Sequence, residues 1–178
     1  MTADELLRLP RGEGTRYELI RGVLIEKMGT GDPHGISVNR IAGLIFIYTE
    51  TTGYGESLTG EPGYHLDFEP DTVRCPDVAW IAPGRVPEGT QGFPNLAPDL
   101  AVEVKSPSNS NPEMAAKAWM WLSYGSQQVW VADPERSTVT VYRHGAEPQT
   151  LGEDDELTGG DLLPDFSTPV WRLFRRER

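Results

Sequence analysis

LAPDLAVEVKSPSNSNPEMAAK, residues 96–117, contains the strand that we expect at the centre of the sheet. Its apolar run 100–104 is typical of a buried strand, yet Glu103 lies inside this run and Lys105 directly follows it. Side chains alternate across a strand, so Glu103 and Lys105 share one face. Burying either charge without a partner costs several kcal/mol. The charged face is therefore expected to line a cleft or meet solvent, with a structural ion pair as the alternative.

A helix is predicted directly after this strand. Asn111 is expected to cap it, with Pro112 at its first position and Gly125 just past its end. The segments QQVWVAD at 127–133 and STVTVYRHG at 137–145 then alternate between apolar and polar residues. This pattern predicts two strands joined by the turn PERS.

The N-terminal part of the chain predicts two helices around a hairpin. Thr2 and Glu5 form a capping-box pattern ahead of a leucine-rich run, which indicates a short first helix. Strands are expected at 17–20 and 23–28, joined by an Arg-Gly turn. A longer helix is expected from Asp32, as its cap, to Gly53, because apolar residues recur there at helical spacing.

Short strands are predicted between this helix and the central strand. ESLTG, GYHLDF and CPDVAWIA are bounded by turns and rich in β-forming residues, whereas 83–98 is rich in proline and glycine and reads as a loop. Neither a repeat nor a long linker divides the chain. We therefore expect one α/β domain over residues 1–178, with a mixed β-sheet flanked by helices.

Composition limits the possible locations and partners. The net charge of -11 argues against indiscriminate binding to nucleic acids, so any contact with a polyanion must be local. No apolar run approaches the roughly 20 residues that cross a bilayer, and the N-terminus is acidic where a secretory signal is basic. The single cysteine, Cys75, cannot form an internal disulfide. We expect a cytoplasmic protein without a membrane partner.

A second acid is expected close to Glu103. Asp77 opens the strand that precedes the central one, and consecutive strands are often neighbours in a sheet. Two converging carboxylates can hold a hard cation such as Mg²⁺, with water as the remaining ligands. The cation then polarises a phosphate and activates the attacking water. This pair of acids predicts a metal-dependent phosphodiesterase.

Lysine is scarce in this chain, and its placement supports the same chemistry. The sequence contains 13 arginines and three lysines, two of which, Lys105 and Lys117, lie in the stretch quoted above. Lys105 could orient the attacking water or stabilise charge on the phosphoryl oxygens. Lys117, on the following helix, could lean toward the same cleft, or it could be an ordinary surface lysine.

These residues resemble a known nuclease motif. Pro76-Asp77, 25 intervening residues and Glu103-Val104-Lys105 resemble the PD-(D/E)XK motif of restriction-endonuclease-like nucleases. YELIRGVLIEKM, CPDVAWIAP, APDLAVEVKSPS and QQVWVADPERSTVTVYR, in that order, resemble the Uma-two family of bacterial restriction-endonuclease-like proteins. The resemblance extends from about residue 2 to residue 172.

The resemblance implies a restriction-endonuclease-like α/β fold and a nuclease site, whose substrate would be nucleic acid, with DNA expected rather than RNA. Exposed β-hairpins and a compact fold separately favour a two-fold homodimer, which could place two clefts side by side. Asp77 and Glu103 would hold Mg²⁺ or Mn²⁺. His34 matches a histidine of the family ahead of the long helix. The catalytic positions of the family fall on Glu18, Asp77, Glu103, Lys105 and Lys117.

Two other readings of the sequence stay open. Members of the family are mostly uncharacterised, and the scaffold could serve as a non-catalytic binding or assembly module. The same cleft could instead bind a small molecule, with Trp80, Trp121 and Trp130 as apolar walls, although these tryptophans are also the expected core. Glu18 likewise has the competing reading of a solvent-facing hairpin residue.

Overall fold

The computed structural model describes residues 1–10, 16–27, 31–85 and 91–174. Three α-helices are present in this part of the chain: α1 Ala3–Leu7, α2 Asp32–Thr52 and α3 Asn111–Ser123. A 3-10 turn at Val170–Leu173 follows the last strand. The strands are β1 Arg16–Ile20, β2 Val23–Lys27, β3 Glu56–Thr59, β4 Tyr64–Asp67, β5 Thr72–Arg74, β6 Val78–Ile81, β7 Leu100–Val104, β8 Gln128–Asp133, β9 Thr138–Arg143, β10 Gln149–Leu151, β11 Glu156–Gly159 and β12 Leu163–Pro169.

A six-stranded mixed sheet forms the centre of the fold, in the order β10-β9-β8-β7-β6-β3. The pair β7–β8 is parallel, whereas the other neighbours are antiparallel. A parallel pair needs a crossover connection, and α3 supplies it. The expected α/β class, a mixed sheet flanked by helices, is confirmed.

Both faces of β7 are buried, so solvent is wrong as the surroundings of its charged face, whereas the expected cleft agrees with a cavity that Glu103 lines. Val102 packs with Ile41 and Ile45 of α2, whereas Ala101 packs with residues of α3 on the opposite face. Glu103 is only 3% exposed. The reason is topological, since the crossover helix of a parallel pair must cover one face of the sheet.

A second sheet, in the order β2-β1-β5-β4, stands beside the first. Its strand β5 continues through Cys75 and Pro76 to Asp77, which immediately precedes β6 of the central sheet. The chain therefore crosses from one sheet to the other at a predicted site residue. The strands β11 and β12 form a separate two-stranded sheet near the C-terminus.

The helix ends agree with the sequence except at two N-caps. Thr2 caps α1 through the predicted capping box, and Gly53 ends α2 with φ of 65°. The cap of α3 is Ser110 rather than Asn111, because Ser110 and Glu113 form a reciprocal capping box. For α2, the cap is likewise one residue earlier than expected. Residue 28, the expected end of the second strand, lies outside the described residues, as does 86–90 of the predicted loop.

The three tryptophans considered above belong to the core. Trp80 and Trp121 are 0% exposed, and Trp130 is 1% exposed. Trp80 and Trp130 pack on the α2 side of the central sheet, whereas Trp121 packs on the α3 side. Their core reading is confirmed. Among the described residues, no helix has the length and apolar character needed to cross a membrane.

Replacement of Gly55 by alanine is expected to destabilise the protein by about 3 kcal/mol. The φ of Gly55 is 75°, and an added Cβ would collide with the Trp80 ring and lie 2.6 Å from the Ile81 carbonyl oxygen. Gly53→Ala is the matched control, because Gly53 has φ of 65° but open space around its Cα. The control should cost only about 1 kcal/mol in urea unfolding. Equal losses in both variants would contradict the role of packing against Trp80.

Candidate active site

A cavity of about 440 Å³ lies at the C-terminal end of β7. Residues of both large sheets and of helices α2 and α3 line it, so its geometry depends on how these elements pack together. Four of the five predicted catalytic residues contribute to its lining, together with the predicted histidine. These residues are Glu18, Asp77, Glu103, Lys117 and His34.

The pairing of β6 with β7 brings the two predicted metal ligands together. Val78 is paired with Val102 and Ala79 with Ala101, so Asp77 lies one step beyond the last pair of this ladder. The backbone N–H of Asp77 donates to the Val102 carbonyl at 3.1 Å, which departs from the register of the ladder. Both carboxylates line the cavity at this end of the ladder.

The position of Asp77 is defined by two contacts. Its Oδ2 atom accepts a hydrogen bond from the backbone N–H of Val104 at 2.6 Å. The Nε2 atom of His34 lies 3.4 Å from the same oxygen. His34 is buried in the first turn of α2, a helix that packs against β6 and β7. Both contacts orient the carboxylate toward the cavity.

Glu103 is buried between two partners from α3. Its Oε1 atom accepts from Trp121 Nε1 at 2.8 Å, and its Oε2 atom accepts from Lys117 Nζ at 2.9 Å. Burial raises the pKa of Glu103, the Lys117 ammonium opposes this rise, and the charge of Asp77 adds to it. Trp121 and Lys117 are four residues apart, so one helical face presents both donors.

Lys117 remains protonated in this environment. Burial disfavours its charge, but the carboxylate of Glu103, with smaller contributions from Glu18 and Asp77, raises the pKa of Lys117 above its usual value. The side chain of Lys117 is 23% exposed and lines the cavity. A fixed ammonium group is therefore available where substrate charge would be bound.

Glu18 forms the opposite wall of the cavity. Its Oε1 atom accepts from the Cys75 N–H at 3.1 Å and lies 3.2 Å from Arg74 Nε, while its Oε2 atom lies 2.9 Å from Lys27 Nζ. Burial would raise the pKa of Glu18, but the charges of Arg74 and Lys27 lower it below its usual value. The solvent-facing reading of Glu18 is wrong, because its residue is only 2% exposed.

Lys105 is not brought to this cavity. Strand β7 ends at Val104, and the Lys105 N–H donates to the Ala132 carbonyl of β8 at 2.8 Å. Its Nζ atom then donates to Asp133 Oδ2 at 2.9 Å. The lysine that contacts Glu103 is Lys117, on the next helix. Alternation along the strand predicted which face of the sheet Lys105 lies on. It did not predict that the side chain extends toward Asp133 and away from this cavity.

Two further acids of the cavity were missed by sequence reasoning. Glu61 lies in a Gly-Glu-Pro turn with φ of 58° and forms an ion pair with Arg16. Burial raises the pKa of Glu61, and the nearby charge of Asp77 contributes to the rise. Glu26 also lines the cavity. One signal for Glu61 was present in the sequence, which is its position in a short turn between two predicted strands.

The donor atoms fit a hard divalent cation bound largely through water. Within the described ranges, no group of three or more His, Cys, Asp or Glu side chains is arranged to hold a metal ion. Mg²⁺ commonly uses only one or two carboxylates and keeps several waters. Asp77 and Glu103 supply such a pair, and their mutual repulsion contributes to the raised pKa of Glu103. A closed zinc site is not formed by these groups.

Comparison with known proteins identifies the family. A crystal structure described as "a putative nuclease belonging to DUF820" from Anabaena variabilis ATCC 29413 has a TM-score of 0.82 and 24% identity, covering 98% of this chain and 97% of that chain. No curated protein matches the chain. The model of the Uma2 family, described as "Putative restriction endonuclease", matches residues 3–171. The chain therefore belongs to the Uma2 family, which confirms the resemblance of its motifs.

Proposed function

We propose that this protein is a nuclease that hydrolyses phosphodiester bonds of nucleic acid with Mg²⁺ or Mn²⁺. One observation carries the proposal: Asp77 and Glu103 line one cavity with the Lys117 ammonium, where the pairing of β6 with β7 ends. The family description and the fold of the Anabaena protein support the same reaction class. DNA as the preferred substrate and a two-fold dimer remain predictions.

The residues of the cavity have distinct roles in this proposal. Asp77 and Glu103 would hold the divalent cation. A cation bound there would polarise the phosphoryl group and lower the pKa of the attacking water. Lys117 donates to Glu103 and can also neutralise charge that develops on the phosphoryl oxygens. Glu18, kept ionised by Arg74 and Lys27, holds the Lys27 ammonium at the opposite wall.

The direct test is cleavage of defined substrates. Purified protein would be incubated with single- and double-stranded DNA and RNA, with Mg²⁺, with Mn²⁺ and with EDTA. Cleavage that requires the metal and disappears in Asp77→Ala supports the proposal. Cleavage that persists in Asp77→Ala would show that it does not arise from this cavity and would contradict the proposal.

Lys117→Ala is expected to lower kcat by about 10²- to 10³-fold, because it removes a preorganised positive charge from the cavity. Lys105→Ala should lower kcat far less, since the Nζ atom of Lys105 is bound to Asp133 outside the cavity. Single-turnover cleavage by both variants measures this ranking. The reverse ranking would restore Lys105 as the catalytic lysine and exclude Lys117 from that role.

A non-catalytic binding or assembly module is the second candidate. It is favoured by the contacts of Glu103, whose two oxygens are already bonded to Trp121 and Lys117. Calorimetric titration with Mn²⁺ separates the two candidates. A nuclease site should bind the metal in the unmodified protein and lose binding in Asp77→Ala, whereas a structural module should show no such dependence.

A further inference from the structure

A second cavity of about 590 Å³ lies between α3 and the outer strands of the central sheet. Among its described lining residues, Lys105 and Arg136 are the cations and Asp133 is the acid. Hydroxyl groups of Thr138, Thr140, Tyr142 and Thr150 and the amide of Asn111 also line it. This lining is rich in hydrogen-bond donors and has one carboxylate.

The charged side chains of the second cavity have a net charge of +1, because two cations face one carboxylate. Asp133 Oδ2 lies 2.9 Å from Lys105 Nζ and 3.4 Å from Arg136 Nη1. Burial would raise the pKa of Asp133, but the hydrogen bond and charge of Lys105 lower it, so the acid stays ionised. One carboxylate therefore faces two permanent cations. The side chain of Arg136 is 60% exposed and can reach a ligand.

The two cavities have opposite charge. Among the described residues, five carboxylates and two ammonium groups line the first cavity, in addition to His34. The whole chain has a net charge of -11, so a local positive site in the second cavity is not a consequence of composition. An anionic ligand would be attracted to the second cavity and would need a counter-cation in the first.

One loop connects the two cavities. Residues 106–109 line the first cavity, whereas Lys105, Asn111 and Pro112 line the second. Glu103 and Lys105 are two residues apart, so an extended backbone separates their Cα atoms by about 7 Å. A nucleic-acid strand bound at the first cavity would therefore have a neighbouring phosphate near the second.

We propose that the second cavity binds a backbone phosphate of the nucleic-acid strand whose neighbouring bond occupies the first cavity. Arg136 and Lys105 provide the positive charge, and the threonine hydroxyls can donate to phosphate or sugar oxygens. The inference rests on the proposed nuclease function and assigns Lys105 a substrate-binding role rather than a catalytic one. A positive site of this kind would also allow a protein of net negative charge to bind nucleic acid at this cavity.

Salt-dependent binding of an oligonucleotide tests this inference. Fluorescence anisotropy would measure the affinity of the full chain for a labelled 20-mer, single-stranded and duplex, in EDTA and in Ca²⁺. Each phosphate contact contributes about 0.7 to the salt slope for single strands and about 0.9 for B-DNA. Arg136→Gln should weaken binding several-fold and reduce the slope by about this amount, whereas Arg136→Lys should keep the slope because it keeps the charge.

Arg172→Gln is the matched control, because it removes the same charge from an exposed residue of the 3-10 turn, which packs on the α2 side of the sheet. Its slope should be unchanged. Equal slopes for Arg136→Gln and Arg172→Gln would overturn the inference, even if cleavage is intact. Binding that depends on Arg136 without cleavage in any metal would instead retain the phosphate site and overturn the nuclease proposal. Circular dichroism would verify that each variant is folded.

Discussion

Asp77→Asn is expected to lower metal-dependent cleavage by about 10³-fold or more, equivalent to roughly 4 kcal/mol of transition-state stabilisation. The substitution removes one of the two carboxylates that line the cavity where the pairing of β6 with β7 ends. An asparagine oxygen can still accept the N–H of Val104, which Asp77 now accepts at 2.6 Å. The fold should therefore survive the loss of charge. Steady-state cleavage and Mn²⁺ calorimetry would measure rate and metal affinity together.

Glu26→Gln is the control for charge alone, because Glu26 is an exposed acid that lines the same cavity. It should lower the rate far less than Asp77→Asn. An Asp77→Asn variant that cleaves at the rate of the unmodified protein, with a native circular dichroism spectrum, would contradict the proposed metal site.

Asp99→Ala is expected to destabilise the protein by about 3 to 5 kcal/mol, because it removes a buried carboxylate and leaves its donors unpaired. Asp99 is 0% exposed. Its Oδ1 atom accepts from Arg85 Nη1 and Gln127 Nε2, both at 2.6 Å, and its Oδ2 atom accepts from the Ala82 N–H at 2.8 Å. These bonds connect the ends of three neighbouring strands. Urea unfolding at constant pH would measure the loss.

Asp161→Ala provides the comparison for an exposed aspartate and should change the free energy of unfolding by less than about 0.5 kcal/mol. A loss in Asp99→Ala no larger than this control would show that the buried network contributes little. Asp99 and Glu103 lie on one face of β7, yet Asp99 is enclosed by structural donors and Glu103 lines the cavity.

The proximity of Asp77 and Glu103 could be predicted, because it depends on side-chain alternation and on the adjacency of consecutive strands. Alternation fixed the face of Glu103, and the tendency of consecutive strands to neighbour each other placed Asp77 beside it. The position of Lys105 could not be predicted in the same way. It lies one residue beyond the last residue of β7, where contacts with β8 determine its direction.

Other features that the sequence did not predict also have physical causes. The three-residue strand β10 is too short for a periodic pattern, and β12 contains two prolines and an aspartate, which are rare in strand interiors. Glu61 reaches the cavity only because the loop after β3 folds back toward β1, where Arg16 pairs with it. Long-range contacts of this kind leave no periodic signal in the sequence.

The crowding of carboxylates around the first cavity links folding to ligand binding. Glu18, Asp77 and Glu103 are far apart along the chain, so an unfolded molecule keeps their like charges separated and hydrated. Folding brings them together against mutual repulsion, which salt bridges relieve in part. A cation that binds the native cavity would remove more of this repulsion and shift the folding equilibrium toward the native state. The conformational stability of this protein would then depend on the ionic composition of its surroundings.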